Sequence, residues 1–261
     1  PAILLIEGGL HGETKLDIQE FMVIPEGRTF HEQFLKGKKI YENLKKILKN
    51  KFGEKGTKLG MEGAFTPPLK FSRAGFTPPE QALDLIMEAA EGYNVKIGLD
   101  YAASNLKKGK YDIAFYQRLV RDYPILFLED PFGEEDWQNW KKLRYTLHAT
   151  RYKPFIVGDD LTVTNLKRIK MARRENACNA VIIKPNQIGT ATEAIEASLL
   201  AKAYGWKVIV SHRSGETKDD FIADLAVGIG ADFIKAGAPS KPERMAKYKR
   251  LLKIEKELWQ S

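Results

Sequence analysis

Cysteine is almost absent from this sequence; Cys178 is the single example among 261 residues. That excludes a disulfide framework and a zinc site built on thiolates. Long apolar runs are missing too. None approaches the ~18 residues that a membrane span needs, and no leader of the secretory kind is visible. These absences lead us to expect a reducing, cytoplasmic setting and no membrane partner. Linkers and low-complexity segments are also lacking, so a single domain over residues 1–261 is expected.

What is plentiful is charge, at 29% of residues with a formal net of +8. A basic balance of this kind can mark a nucleic-acid partner. Here the densest lysines fall in "KKIYENLKKILKNK", where Phe34, Tyr41, Leu44 and Leu48 recur at helical spacing. The lysines are then the solvated face of an amphipathic helix, which speaks against nucleic acid. The same balance suits a small anionic substrate.

From about residue 95 the chain repeats a short apolar run, a polar residue, a loop and an amphipathic helix. The runs are "VKIGLD", "ILFLE", "FIVGD", "AVIIK", "KVIVSH" and "DFIK". They follow one another at about 25–30 residues, the length of a βα unit in a parallel sheet. They do not alternate, as expected of strands buried on both faces. "AILLIE" and "IQEFMVI" supply two earlier strands, close enough to form a hairpin. Helices are expected over 29–52 and 79–93, joined by a long Gly/Pro-rich loop, and a last helix from a capping box at Ser240 and Glu243 to Trp259. The predicted fold class is α/β, a TIM-like barrel of order ββαα(βα)6.

Each of the six later runs ends on an ionisable residue, and in a barrel such ends converge at one mouth. Asp100, Glu129 and Asp159 end three consecutive runs. Carboxylates crowded in this way repel unless a cation lies among them or one holds a proton. An all-oxygen set favours a hard ion, Mg²⁺ first. Glu134, Glu135 and Asp136 have a simpler account, since they precede a helix near Trp137 and complement its dipole. Lys184, His212 with Arg213, and Lys235 end the other three runs with the opposite charge. An amine facing a divalent cation suits a general base near neutral pH. Arg213 beside Ser211, Ser214 and Gly215 suits a phosphate. Metal on one side and amines on the other suit removal of a proton next to a carboxylate, a pairing known from enolase-type sites.

At these residues the chain resembles the enolase family. "LEDPFGEEDW", "GDDLTVTN", "NQIGTATEA" and "VSHRSGETKDDFIADLAVGIGADFIKAGAPS" are similar to enolase almost word for word, and "GGLHGETKLDIQEFMVIP", "GLDYAAS" and "GKYD" fit too. The resemblance covers the barrel part of the family, without its N-terminal domain. It implies a glycolytic lyase, phosphopyruvate hydratase, which converts 2-phosphoglycerate to phosphoenolpyruvate with Mg²⁺. By residue, it implies Asp100, Glu129 and Asp159 as metal ligands and Lys184 as the base at C2. Lys235 would help neutralise the substrate carboxylate. Glu62 in "GMEGAF", with Glu20 nearby, would help the 3-hydroxyl leave. Arg213 and Ser214 would hold the phosphate, and His212 and His11 would contact substrate. The partner implied is therefore a small phosphorylated anion, and the resemblance leaves room for a separate chain supplying the N-terminal domain and for a homo-oligomer.

The sequence departs from the family at Met61 beside Glu62, where an aspartate is usual, and at Pro185 after the base. It also departs at Ala236 after Lys235, where threonine is usual, and in the shorter "GKYDIAFYQ". Two classes follow: a Mg²⁺-dependent lyase, or an enolase homologue that binds or regulates without turnover.

Overall fold

A computed structural model describes residues 1–11, 16–70, 77–106, 111–150 and 152–260. Parts of the hairpin loop after "GGLH", of the long Gly/Pro-rich loop and of "GKYD" lie outside the described residues.

Eight strands form one sheet in chain order, β1 through β8. They are β1 (Ile3–Glu7), β2 (Glu20–Pro25), β3 (Val95–Asp100), β4 (Ile125–Glu129), β5 (Phe155–Gly158), β6 (Ala180–Ile183), β7 (Lys207–Ser211) and β8 (Phe233–Lys235). The helices are α1 (Phe30–Phe52), α2 (Pro78–Ala89), α3 (Ile113–Asp122), α4 (Trp137–His148), α5 (Leu166–Arg174), α6 (Pro185–Ile188), α7 (Ala191–Ala203), α8 (Phe221–Gly228) and α9 (Pro242–Gln260). This is an α/β barrel of the expected ββαα(βα)6 order, with the short α6 as an addition. β1 and β2 are antiparallel, with Glu7 opposite Glu20. β4, β5, β6 and β7 pair in parallel. A parallel bridge joins Ala2 to Lys235.

By contacts, the chain divides into two compact units. The first comprises Pro1–Gly98, His212–Asp224 and Lys235–Ser261, the second Leu99–Ser211 and Leu225–Ile234. In the first, all residues of β1 and β2 are buried. α1 starts where the Thr29 hydroxyl accepts from Glu32 N and stops at Gly53. It turns Phe34, Ile40, Tyr41, Leu44 and Leu48 inward, and Phe34 stacks on Tyr248 of α9. The lysines of this helix therefore belong to its outer face, as its periodicity requires. α9 begins at Pro242. Ser240, expected as the start, lies two residues before it, and its hydroxyl donates to Gly63 O at 2.7 Å.

In the second unit the helix starts follow side-chain chemistry. Asp112, Asp136, Asn165 and Thr190 each accept from a first-turn backbone N–H of α3, α4, α5 and α7. Asp136 thus caps α4, as expected of the acids before Trp137. Trp140 on α4 is fully buried and donates to Gly133 O at 3.0 Å. An aromatic group of Tyr101, Tyr111, Phe115, Tyr116 and Phe132 packs edge-on and stacked beyond the end of β3.

Leu44 is fully buried on α1. Leu44→Ala is expected to cost about 2–5 kcal/mol, because a rigid core closes only partly around the lost methyls. Urea unfolding of the two proteins, compared at their midpoints, measures this.

Candidate active site

In the second unit the strand ends place acids side by side. Asp100 ends β3 and Glu129 ends β4, while Asp159 follows β5 directly. All three are buried, as is Asp130. Asp100 Oδ1 accepts from Ala102 N at 3.0 Å, which fixes the turn out of β3. Asp130 has a left-handed backbone, φ 40°. Its carboxylate reaches across to the next strand end and accepts from Asp159 N at 3.0 Å and Asp160 N at 2.7 Å. Among the described residues, the acidic ligand atoms that lie within 4.8 Å of one another in this unit belong to Asp130, Asp159 and Asp160. Burial, and then the neighbouring Asp159, Asp160 and Asp100, push the Asp130 carboxyl well above its ordinary range. Burial and the same crowding push Asp160 up to about 6.

Lys184 follows β6 and forms an ion pair through Nζ with Asp159 Oδ2. Its backbone is extended, φ −126° and ψ 104°, and Pro185 is the first residue of α6. Proline is tolerated there because the first N–H of a helix has no intrahelical partner. Lys184 N donates to Thr164 Oγ1 at 2.9 Å, and Thr164 donates to Gln187 Oε1 at 2.8 Å. Gln187 Nε2 in turn donates to Asp159 Oδ1 at 3.1 Å. The short helix therefore returns a donor to the carboxylate that Lys184 pairs with. No apolar periodicity announces a helix this short.

The first unit holds the other ionisable residues. Glu7 at the end of β1 accepts from Glu62 N at 3.0 Å and Ala64 N at 2.9 Å. Gly60 allows this approach, since a Cβ there would lie 2.4 Å from Glu7 Cδ. Burial raises the Glu7 carboxyl to about 7, against the lowering effect of its backbone donors. The turn so held presents Glu62, which is buried. Glu62 Oε2 lies 3.1 Å from His212 Nε2, and Oε1 lies 3.6 Å from His11 Nδ1. Burial alone would raise Glu62, but His212, His11 and Arg244 outweigh it and hold the carboxyl well below its usual range. Burial, followed by the cations Arg244 and Lys235, lowers His212 in spite of Glu62. His11 Nε2 is 2.9 Å from Ser214 Oγ. Lys235 at the end of β8 pairs with Glu20 at 2.8 Å, both buried.

The structure thus brings His11, Glu62, His212 and Ser214 into one connected group and Lys235 onto Glu20. In the second unit it brings Lys184 onto Asp159. Arg213 is exposed, and its backbone carbonyl accepts from Arg244. Several contributors escaped the sequence reading. Asp130 and Glu7 are acids at strand ends; the signal was present in "LEDP" and "AILLIE". Arg244 and Lys247 sit on the same face of α9 as Tyr248 and Leu251, all four buried. Basic residues in phase with an apolar stripe were the available sign.

The chain is an α/β barrel with ionisable residues at its strand ends, acids on three consecutive strands and a lysine after the next. The model of the enolase C-terminal TIM barrel domain matches this chain over residues 1–117 and 111–261. Enolase B of Dictyostelium discoideum is 45% identical to it over 99% of this chain and 62% of the relative. The chain belongs to the enolase family and spans less than two thirds of that relative's length.

Asp130→Ala removes the acceptor of two N–H groups at the end of β5. Losing partners for buried donors should lower stability by about 2–4 kcal/mol. Asp130→Asn keeps one carbonyl oxygen and should lose less. Denaturant titration of both variants checks the order.

Proposed function

We propose that this chain carries the chemistry of a Mg²⁺-dependent hydro-lyase that converts 2-phosphoglycerate to phosphoenolpyruvate and water. The observation that carries this reading is the Lys184–Asp159 pair among buried strand-end acids, in a chain of the enolase family. The donor set fits a hard divalent cation: Asp100, Glu129 and Asp159 offer only oxygen and are buried, and Asp100 and Asp159 are among the carboxylates whose crowding raises Asp130 and Asp160. Bound by these three carboxylates, Mg²⁺ would supply the positive charge that an enolate dianion needs.

The chain's own residues do the rest. Lys184 pairs with Asp159 as an ammonium; once that carboxylate is engaged elsewhere, the ammonium loses its counter-charge, gives a proton to water, and the neutral amine takes the C2 proton. Pro185 holds Lys184 extended, so the amine leaves a fixed backbone. Lys235 offsets the charge of the substrate carboxylate. Arg213 and Ser214 receive the phosphate, with His11 placing the Ser214 hydroxyl. Glu62 assists departure of the 3-hydroxyl as an acid, with Glu20 set beside it through Lys235. Glu62 is ionised when alone with His212, and an anionic substrate beside it raises its pKa toward the protonated form.

No helix among the described residues is long and apolar enough to cross a membrane. A substrate of this kind, at the level of glycolysis, fits the cytoplasmic setting we propose. A second reading rests on Met61, which is 49% exposed next to Glu62 where the family usually has an acid. Under that reading the protein binds the phosphorylated anion without turning it over.

The test is phosphoenolpyruvate formation from 2-phosphoglycerate, with and without Mg²⁺, for the wild type and Lys184→Ala. The expected result is Mg²⁺-dependent turnover with a loss of about 10²–10⁴ in kcat on losing the base. Turnover unchanged in Lys184→Ala would refute the base. Calorimetric binding of 2-phosphoglycerate without turnover would favour the second reading.

A further inference from the structure

Arg244 is one of the largest side chains in the protein to be fully buried. It projects from the first turn of α9, and its guanidinium makes three contacts with one loop. Nη1 meets His212 Nδ1 and donates to Arg213 O at 2.7 Å, and Nη2 donates to Ser214 O at 2.6 Å. A guanidinium has donors only. His212 Nδ1 must therefore accept, and the imidazole proton must sit on Nε2. That nitrogen is the one 3.1 Å from Glu62 Oε2. The loop backbone is gripped at the two residues that follow His212.

We propose that Arg244 is a positioning residue, which locks His212 as the neutral tautomer with its proton on Nε2, the nitrogen that faces Glu62, and fixes the backbone of Arg213 and Ser214. The catalytic meaning of this lock rests on the function proposed above; the lock itself does not. The groups facing His212 are Glu62 from the loop before Ala64, Arg244 from α9, and Lys235 from β8 with its partner Glu20. Burial first, and then the cations Arg244 and Lys235, disfavour an imidazolium in spite of the Glu62 carboxylate. Gly237 completes the arrangement. Its φ of +82° suits glycine, and a Cβ there would lie 2.8 Å from Arg244 Cδ and 3.1 Å from His212 Cε1.

A neutral His212 matters for Glu62. An imidazolium would give Glu62 a permanent counter-charge and hold it ionised. A neutral donor orients the carboxylate but leaves it free to take a proton when an anion arrives. Arg244 thereby separates orientation from charge, much as a buried partner sets the tautomer of a histidine elsewhere.

The chain has four histidines, so its imidazole nitrogens are resolvable by two-bond ¹H–¹⁵N correlation spectra of the ¹⁵N-labelled full chain. His212→Gln assigns the signal. In the wild type, His212 should show a pyridine-like Nδ1 and a pyrrole-like Nε2 at pH 7 and stay neutral to pH 6. In Arg244→Met the acceptor at Nδ1 is released, and the His212 midpoint should rise by about one pH unit or more. Arg244→Lys, which keeps a cationic donor, should restore the wild-type tautomer. A wild-type His212 protonated on Nδ1, or doubly protonated at pH 7, overturns the proposal, and that measurement stands even where the variants do not fold. A folded Arg244→Met with unchanged His212 signals overturns it as well. None of these spectra involves turnover, so they decide the lock independently of whether 2-phosphoglycerate is the substrate.

Discussion

Charge buried at the strand ends is the constraint around which both units are arranged. An ion moved from water into the interior loses several kcal/mol of solvation, and only a close partner of opposite sign returns it. The first unit meets this in two ways. Glu20 lies against the cation Lys235, while Glu62 faces His212, which has the Arg244 guanidinium on its other side. Glu7 is the exception in kind, since its partners are backbone N–H groups and not cations. That difference explains why its carboxyl rises to about 7 while Glu62 falls.

The second unit resolves the same constraint incompletely. Asp130 and Asp160 are both raised, and in each case neighbouring carboxylates follow burial as the cause. Acid–acid repulsion retained in a folded core is a cost without structural return. It is what a site prepared for a divalent cation would keep, and the ion pair from Lys184 is a partial substitute for it.

Much of this was legible in the sequence. β3 and β4 match "VKIGLD" and "ILFLE" residue for residue, because a buried parallel strand is a continuous apolar run with a sharp polar stop. Asp159, Lys184 and His212 were placed at the ends of their strands and lie one residue past them. The ionisable side chain there has already left the ladder, which is why it is able to turn toward partners. What the sequence could not display was pairing between distant segments. Nothing in "KPERMAKYK" says that Arg244 reaches 31 residues back to Arg213 O. Nothing in "LEDP" says that Asp130 holds the N–H groups of the following strand end. α9 starts at Pro242, two residues past Ser240, whose hydroxyl proton goes to Gly63 O, another contact between distant segments.

Pro185 illustrates how one substitution relative to a family pattern can be neutral to geometry. A proline after a strand residue threatens the ladder by removing a donor. β6 has already ended at Ile183, and residue 185 begins a helix, so the lost N–H was never going to find an intrahelical partner. The restriction that proline places on its predecessor favours extended backbone, and Lys184 has it. Its amide is tied to Thr164, whose own φ of 56° is left-handed and whose hydroxyl passes on to Gln187 and so to Asp159. The lysine is therefore held from its backbone as well as from its ammonium. Proline narrows the conformations from which the amine departs without moving the point of departure. Met61 is a different matter: it removes a carboxylate from beside Glu62 and leaves a thioether at the surface, which changes the charge near the acid and not the turn that carries it.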